Sequence, residues 1–184
     1  MIKTIAKGTI LIAKPLLYDE NFDRTVVLLT EHTQSGSVGF IMNKPLDIII
    51  KDIFPETNSE LLLYEGGPVG MESIYYIHNR PDLIENSVHI EHNLYWSGNF
   101  EQVLEALKNN LLDENNIRFF LGYSGWSENQ LEEECESNSW HLYNKKLDLE
   151  FFKDDTHTIW QKMIKKIGGK SLIWFNTPEN PEFN

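Results

Sequence analysis

The stretch IRFFLGYSGW (Ile117–Trp126) is the part of the chain from which the fold is predicted. The residues from Ile117 to Leu121 are almost all apolar, which is typical of a strand buried on both faces in the middle of a sheet. Gly122 to Trp126 then predicts a turn from this strand into an acidic helix over Glu128 to Glu136. Such a turn can expose a serine nucleophile or direct backbone N–H groups at an anion, so chemistry is sought here first.

Ser124 is the candidate nucleophile of this segment. The nucleophile elbow needs a glycine two residues after the serine, where Trp126 stands, and Gly125 comes one place too early. In a triad built on a nucleophile elbow, the histidine follows the serine in the chain, and His141 and His157 are the histidines that do so here. A packing or surface role is, however, sufficient to explain each of them. We therefore assign no catalytic residue, and we keep Ser124 as a candidate ligand contact.

A helix start explains the same segment without chemistry. Ser127 and Gln130 have the spacing of a capping box, and Trp126 and Leu131 have the spacing of a hydrophobic staple. On this interpretation the glycines serve to turn the chain. The negative charge of Glu128 is stabilised by the positive end of the helix dipole, and it would repel a phosphate bound at the same place.

Length and composition indicate one folded domain. The chain has 184 residues, of which 41% are hydrophobic and 24% charged, close to ordinary globular usage. We place the domain at residues 1–175 and a frayed tail at 176–184. Cys135 is the single cysteine, which excludes an intrachain disulfide, and its spacing from Leu131 predicts a thiol packed inward.

Charge makes direct binding to DNA or RNA an unfavourable interpretation. Lys and Arg total 16 against 28 Asp and Glu, giving a net charge of -12. One basic group near the end of a predicted helix is interpreted as a solvated face; it comprises Lys162, Lys165, Lys166 and Lys170. The apolar run Gly8–Ala13 is too short for a signal sequence or a membrane span, and we predict a cytoplasmic protein.

Patterns of apolar residues predict alternating strands and helices, and hence an α/β protein. The predicted strands are Gly8–Ala13, Thr25–Thr30, Gly36–Asn43, Leu61–Tyr64, Ile74–Ile77, Ser87–Glu91, Trp140–Tyr143 and Ser171–Phe175. The predicted helical segments are Leu46–Ile53, Phe100–Leu111, Leu149–Phe152 and a last long helix that Asp155 or Thr156 caps and whose apolar residues from Ile159 to Ile167 face inward. Thr25–Asn43 is predicted to form a hairpin, Asn99 to cap its helix, and Gly168 to end the last helix.

A polar group at the hairpin is the first choice for a small-ligand pocket. It comprises Asn21, Arg24, His32 and Asn43. Arg24 and Asn43 should meet at one end of the sheet, and His32 would join them as a proton-transfer group only if its loop folds back. The alternative is structural: Arg24 pairs with Asp19 or Asp23, and Asn43 caps the following turn or helix.

No pattern predicts a metal or a cofactor. His89 and Glu91 would share one face of a strand while His92 points to the other, so the three do not converge as ligands. The glycines of Glu65–Gly70 lack the order of a dinucleotide-binding loop, and Gly169-Lys170-Ser171 follows a helix where a P-loop precedes one.

Several long motifs in register resemble the YqgE/AlgH family (UPF0301, DUF179). They are Asn21–Leu29, Glu31-His32, Gly39–Pro45, Glu65–Val69, and Phe120–Trp126 with Gln130–Glu132. The motif turns carry Gly66, Gly67, Pro68, Gly122, Gly125, Trp126 and Gln130. The resemblance covers about Gly8 to Gly168 and implies a single compact α/β domain around a mixed, largely antiparallel sheet flanked by helices.

The resemblance implies a role in regulating transcription and brings no catalytic residues with it. Members often have Gly-Pro-Gly after the tryptophan, whereas this chain has Ser127-Glu128-Asn129, so an anion-binding role for this turn is not carried over. Two hypotheses follow. The first is a regulatory protein that acts through protein or small-ligand contacts, and the second is a small-molecule binder or hydrolase-like enzyme that uses the Arg24 end of the hairpin or Ser124.

Overall fold

The computed structural model describes residues 4–15, 21–144, 149, 153, 156–169 and 171–172. The strands are β1 (Ile10–Ala13), β2 (Val26–Thr33), β3 (Gly36–Ile41), β4 (Pro45–Ile49), β5 (Leu62–Glu65), β6 (Val69–His78), β7 (Val88–Glu91), β8 (Leu94–Trp96), β9 (Ile117–Ser127) and β10 (Trp140–Tyr143). The helices are α1 (Ile50–Ile53), α2 (Phe100–Lys108), α3 (Gln130–Glu136) and α4 (Thr156–Ile167), with a 3₁₀ turn at Pro55–Thr57.

Strand β9 joins the two halves of a ten-stranded sheet, in which the main order is β10-β1-β2-β3-β9-β6-β8-β7. It pairs antiparallel with β6 and with β3, and parallel with β5, which also carries β4. The expected α/β fold with a mixed, largely antiparallel sheet is therefore confirmed. The apolar run Ile117–Leu121 is the central strand that its composition predicts.

Alternate residues of the sheet enter different hydrophobic clusters, because successive side chains of a strand point to opposite faces. Phe120 packs in the cluster that contains Trp160 and Met163 of α4. Its neighbour Phe119 packs in a second cluster with residues of α1 and α2. A third cluster lies beneath α3 and contains Leu131 and Trp126. The helices thus cover the apolar faces of the sheet.

The predicted turn at Gly122–Trp126 is wrong, because β9 continues through it to Ser127. Gly122 has a φ of +67°, and the register of β6 against β9 is interrupted opposite it. Tyr123 consequently packs with the same cluster as Phe120, although strict alternation would place them on opposite faces. The positive φ of Gly122 therefore shifts the alternation without ending the strand, and the extra residues of the irregularity lie on β6, between Val69 and Ile74.

Helix α3 begins at Gln130, two residues later than a cap at Ser127 would place it. Asn129 precedes it in a left-handed conformation and makes no side-chain cap. Ser127 and Gln130 are still in contact, since the Ser127 N–H and hydroxyl both donate to the Gln130 side-chain oxygen at 3.0 and 3.1 Å. Trp126 and Leu131 share the third cluster, as the staple spacing predicts.

Most other predicted elements are present with shifted ends. The hairpin of β2 and β3 forms with a shorter connection than expected. Asn99 caps α2 by accepting from the N–H groups of Glu101 and Gln102, but the helix ends at Lys108 and leaves Leu111 half exposed. Gly168, with a φ of +68°, follows α4 as expected.

The remaining predictions concern short elements or segments that lie partly outside the described residues. Leu46–Ile53 divides into β4 and the short α1, and the brief strand β8 was not predicted. The helical turn at Leu149–Phe152 and the tail 176–184 lie wholly or largely outside the described residues. Of the strand predicted at Ser171–Phe175, only 171 and 172 are described, and they are not in a strand.

Candidate functional site

The family-motif glycines meet where the β5–β6 connection crosses β9, and we call Gly66, Gly67, Gly122 and Ser124 the glycine junction. The Gly66 N–H donates to the Leu121 carbonyl at 2.8 Å. The Gly66 carbonyl accepts from the Ile41 N–H at 2.9 Å and from the Ser124 hydroxyl at 3.0 Å. The junction thereby ties β3, β9 and the connection together at the point where β9 exchanges β5 for β3 as its neighbour.

Side chains do not fit at the junction glycines. A Cβ on Gly67 would lie 2.4 Å from backbone atoms of Tyr123 and Ser124, and one on Gly66 would lie 2.3 Å from the Gly122 carbonyl oxygen. Gly67 also has a φ of +150°, which L side chains rarely adopt. Close approach of two backbones explains these motif residues.

Ser124 is fully buried, and its hydroxyl faces a carbonyl inside the sheet. A nucleophile elbow requires an exposed hydroxyl on a strained turn, whereas Ser124 lies within a continuous strand. His141, one of the histidines considered for a triad, instead contacts the hydroxyl of Ser171 at 3.2 Å. The arrangement around Ser124 serves the packing of the sheet.

Three of the four predicted hairpin residues lie together. The Asn43 side chain donates to the Arg24 carbonyl at 3.0 Å and accepts from the Val26 N–H at 2.8 Å. Lys44 Nζ donates to the Asn21 carbonyl at 2.7 Å. The Asn43 amide therefore holds the backbone at the entrance to β2. Its expected role as a cap of the next element is replaced by this bridge.

The Arg24 side chain packs against a ring of α4. Its guanidinium carbon lies 5.0 Å from the centroid of the Trp160 ring, within range of a cation–π interaction. Arg24 itself has a φ of +51°, so the local backbone is unusual for a residue with a side chain. Asp19, one of the two expected ion-pair partners, lies outside the described residues.

His32 lies at the opposite end of the hairpin and is not brought to Arg24. Its Nδ1 contacts the Ser37 hydroxyl at 2.8 Å, and its Nε2 lies 3.6 Å from Glu132. Strand β2 is 8 residues long, and at about 3.3 Å per residue it separates its two ends by more than 20 Å. The short connection to β3 cannot fold back over that distance, so the conditional part of the prediction fails.

Glu134 organises the surroundings of the motif residues Trp126 and Gln130. One of its oxygens accepts from the indole N–H groups of Trp126 and Trp140 at 2.9 and 2.7 Å. The other accepts from the Gln130 amide at 3.0 Å. Sequence reasoning missed this contact, although the spacing of Gln130 and Glu134 places both on one face of α3.

Cys135 packs partly inward against the third cluster, as predicted. Burial, reinforced by Glu134 and Glu132, raises the pKa of its thiol to about 11. The thiol is therefore protonated at neutral pH and is a poor nucleophile.

A cavity that the sequence did not indicate lies beside α2 and β6. Its volume is about 460 Å³, within the range of small-molecule sites. We call it the aromatic pocket; it is lined by Phe54, Glu72, Ile74, Tyr75, Tyr76, Ser97, Gly98 and Phe100. The Phe54 and Phe100 ring centroids are 5.3 Å apart, and those of Tyr76 and Phe100 are 5.9 Å apart, so the three rings form one continuous wall.

Two buried side chains of β6 hold the Ser97–Gly98 wall of the pocket. The Tyr76 hydroxyl donates to the Gly98 carbonyl at 2.9 Å, and burial raises the pKa of Tyr76 to about 12. His78 Nε2 lies 3.2 Å from the Ser97 carbonyl, and its Nδ1 accepts from the Arg80 N–H at 3.2 Å. These two partners require the neutral tautomer protonated on Nε2, and burial lowers the pKa of His78 accordingly.

A second, smaller cavity of about 200 Å³ adjoins Arg118 of β9. The Arg118 guanidinium is buried, donates to the Met42 carbonyl at 2.6 Å and lies 4.2 Å from the Tyr64 ring centroid. Burial lowers the pKa of Arg118. The lining of this cavity carries charges of both signs. Arg118 and Lys153 are cationic, and Glu60 and Glu114 are acidic.

Within the described part of the chain, no three His, Cys, Asp or Glu side chains converge as a metal site. His89 Nε2 instead contacts the His92 carbonyl at 3.0 Å. No helix among the described residues is long and apolar enough to cross a bilayer.

Comparison with known proteins identifies the family. The model of the AlgH-like family, DUF179, matches residues 10–172. The chain belongs to the AlgH-like family. A UPF0301 protein of Cytophaga hutchinsonii is 38% identical over 182 residues, which cover 98% of this chain and 100% of that protein. This chain and the Cytophaga hutchinsonii protein therefore correspond over nearly their whole lengths.

Two solved structures share the AlgH-like fold. A crystal structure of a protein from Corynebacterium diphtheriae superposes with a TM-score of 0.74 at 20% identity and covers 95% of this chain and 94% of its own. The solution structure of the AlgH protein from Pseudomonas aeruginosa gives a TM-score of 0.71 at 23% identity, with 95% of each chain covered. At these identities the likeness concerns the fold alone.

Proposed function

We propose that this AlgH-like chain acts in the cytoplasm in the control of gene expression, through a small ligand or a protein partner and without binding DNA itself. The regulatory role is what the family resemblance implies. The observation that carries the mode of action is the net charge of -12. A DNA duplex and this protein are both negatively charged, so electrostatic repulsion lowers the affinity between them.

The charges of the helices support the same view. Helix α3 is the most acidic element, with glutamates at Glu132, Glu133, Glu134 and Glu136. The basic residues Lys165 and Lys166 lie in the last turn of α4, where the helix dipole favours cations. The α4 residues Trp160 and Met163 are buried in the core, so this helix is held in place by the sheet.

The aromatic pocket supports a small-ligand route. It is large enough for a metabolite, and its wall is held by hydrogen bonds of Tyr76 and His78. The alternative of a hydrolase-like enzyme that uses Ser124 has less support, since that hydroxyl is buried and donates to the Gly66 carbonyl.

The proposal is tested by separating regulation from DNA contact. In a strain that lacks the protein, transcript levels should change and should be restored by the wild-type chain. Chromatin immunoprecipitation of the tagged protein should show no enriched DNA, and a labelled random duplex should show no change of anisotropy at physiological salt.

Each part can fail separately. Unchanged transcripts would refute the regulatory role. Salt-sensitive binding to duplex DNA would refute the indirect mode, because the affinity would show a local basic surface strong enough to outweigh the net charge.

A further inference from the structure

The aromatic pocket combines exposed ring surface with a single sign of charge. Phe54 and Phe100 are only half-buried, so their rings remain accessible from the cavity. Of the residues that the structure describes around the pocket, Glu72 alone is charged. Ring faces carry negative electrostatic potential, and a carboxylate adds to it. The pocket is therefore complementary to a cation.

The backbone that lines the pocket is irregular at two places. The register of β6 against β9 is irregular between Val69 and Ile74, and this irregular stretch carries Glu72 to the pocket. Elsewhere in the lining, Ser97 has a φ of +59°. A Cβ on Gly98, which has a φ of +125°, would lie 2.7 Å from Ile84 Cγ2. Unusual backbone conformations of this kind concentrate at ligand sites.

We infer that the aromatic pocket binds a small organic cation, an alkylated ammonium group packed against the rings with its charge balanced by Glu72. Contact with aromatic rings is a common means of recognising quaternary ammonium groups. A nearby carboxylate attracts the same positive charge. The Tyr76 hydroxyl is already engaged by the Gly98 carbonyl and its side chain is buried, which leaves the half-buried rings of Phe54 and Phe100 as the surface available to a ligand. The inference rests on the proposed function, because it names the class of small ligand.

The test is a titration of the isotope-labelled full chain with choline, followed by the backbone amide signals of Ser97, Gly98 and Glu72. The matched probe is 3,3-dimethylbutan-1-ol, which has the same shape without the charge. We expect choline to shift these signals and to bind at least about fivefold more tightly than the neutral alcohol.

Two variants assign the effect to the pocket. Phe100→Leu keeps an apolar side chain and removes the ring, and it should weaken choline binding by about fivefold. Glu72→Gln removes the charge from an exposed side chain whose replacement does not endanger folding, and it should weaken choline binding and reduce its salt dependence. Glu105→Gln is the control, since Glu105 is an exposed glutamate of α2 that does not line the pocket.

The inference is overturned if the neutral alcohol binds as tightly as choline, if the pocket signals do not move, or if Glu72→Gln behaves like Glu105→Gln. These results concern the ligand class and leave the regulatory role untouched. Binding of duplex DNA, by contrast, would overturn the proposed function whatever choline does.

Discussion

The glycine junction and the aromatic pocket both contain glycines where a side chain does not fit, but the junction is packed throughout whereas the pocket borders a cavity. At the junction, the absence of side chains lets two backbones touch, and a Cβ on Gly67 would lie 2.4 Å from backbone atoms of Tyr123 and Ser124. At the pocket, Gly98 belongs to a wall that borders a cavity of about 460 Å³. The junction is filled and the pocket is open. The family-motif residues of the junction therefore stabilise the fold, while the space for a ligand lies in a region that the motifs do not mark.

The largest expected effect is the loss of stability in Gly67→Ala. The new methyl group meets backbone atoms that cannot move without breaking the sheet, and the alanine must adopt the unfavourable φ of +150°. We expect the free energy of unfolding to fall by about 3 kcal/mol, as measured by urea denaturation.

Gly125→Ala is the matched control from the same motif. Gly125 is exposed and has no positive φ, and its nearest neighbour would be the Tyr123 ring at 3.1 Å. We expect a loss of less than about 1 kcal/mol. Equal losses in the two variants would mean that close approach at the junction is not what requires glycine.

An intermediate effect is expected for two hydroxyl deletions that compare the regions directly. Ser124→Ala and Tyr76→Phe each remove a hydroxyl that donates to a glycine carbonyl, at 3.0 and 2.9 Å. Each should lower the free energy of unfolding by about 1 kcal/mol. Only Tyr76→Phe should also weaken choline binding, because only Gly98 borders the pocket.

A loss of ligand binding in Ser124→Ala would contradict the assignment of the glycine junction to stability and of the aromatic pocket to binding. If Ser124→Ala abolished ligand binding at unchanged stability, Ser124 would return to the ligand site. The measurement is one denaturation curve and one choline titration for each variant.

The smallest expected effect is a gradual loss of stability in acid that originates at the pocket wall. Burial lowers the pKa of His78, opposed by the Ser97 carbonyl and by Asp82, while the Tyr76 and Tyr95 rings pack against it. The unfolded chain therefore binds the proton more readily than the folded chain. The stabilisation is complete above the unfolded pKa of about 6.5 and is lost as the pH falls below it.

His78→Gln provides the comparison, because its amide can still donate to the Ser97 carbonyl and does not titrate. Denaturation between about pH 7 and pH 5 should show a steeper loss of stability in the wild type than in the variant. Parallel profiles would show that His78 does not supply the proton linkage.

The sequence correctly predicted the features that depend on interactions between residues close together in the chain. The cap of α2 by Asn99 and the glycine end of α4 depend on neighbours in the chain, and both are confirmed. The turn predicted at Gly122 was wrong because a glycine with a positive φ occurs both in turns and at irregularities within strands. Only the pairing of β9 with β3 and β6 distinguishes the two cases.

The candidate site could not be predicted for a related reason. Phe54 follows α1, Tyr76 lies in β6 and Phe100 begins α2, so the three rings meet only in the folded protein. The short strand β8, which leads to the pocket wall, was itself missed because its sequence gives too few residues for an alternation pattern. By contrast, Arg24 and Asn43 were correctly paired, since a hairpin brings its two ends together by geometry alone.

The position of β9 has a consequence for synthesis of the chain on the ribosome. A nascent chain that ends before Ile117 lacks the strand that pairs with β3, β5 and β6, so three strands keep an unpaired edge until residue 127 has emerged. Open edges are templates for pairing with other chains. Truncated products of this AlgH-like protein should therefore aggregate, and the protein should depend on chaperones until translation passes the central strand.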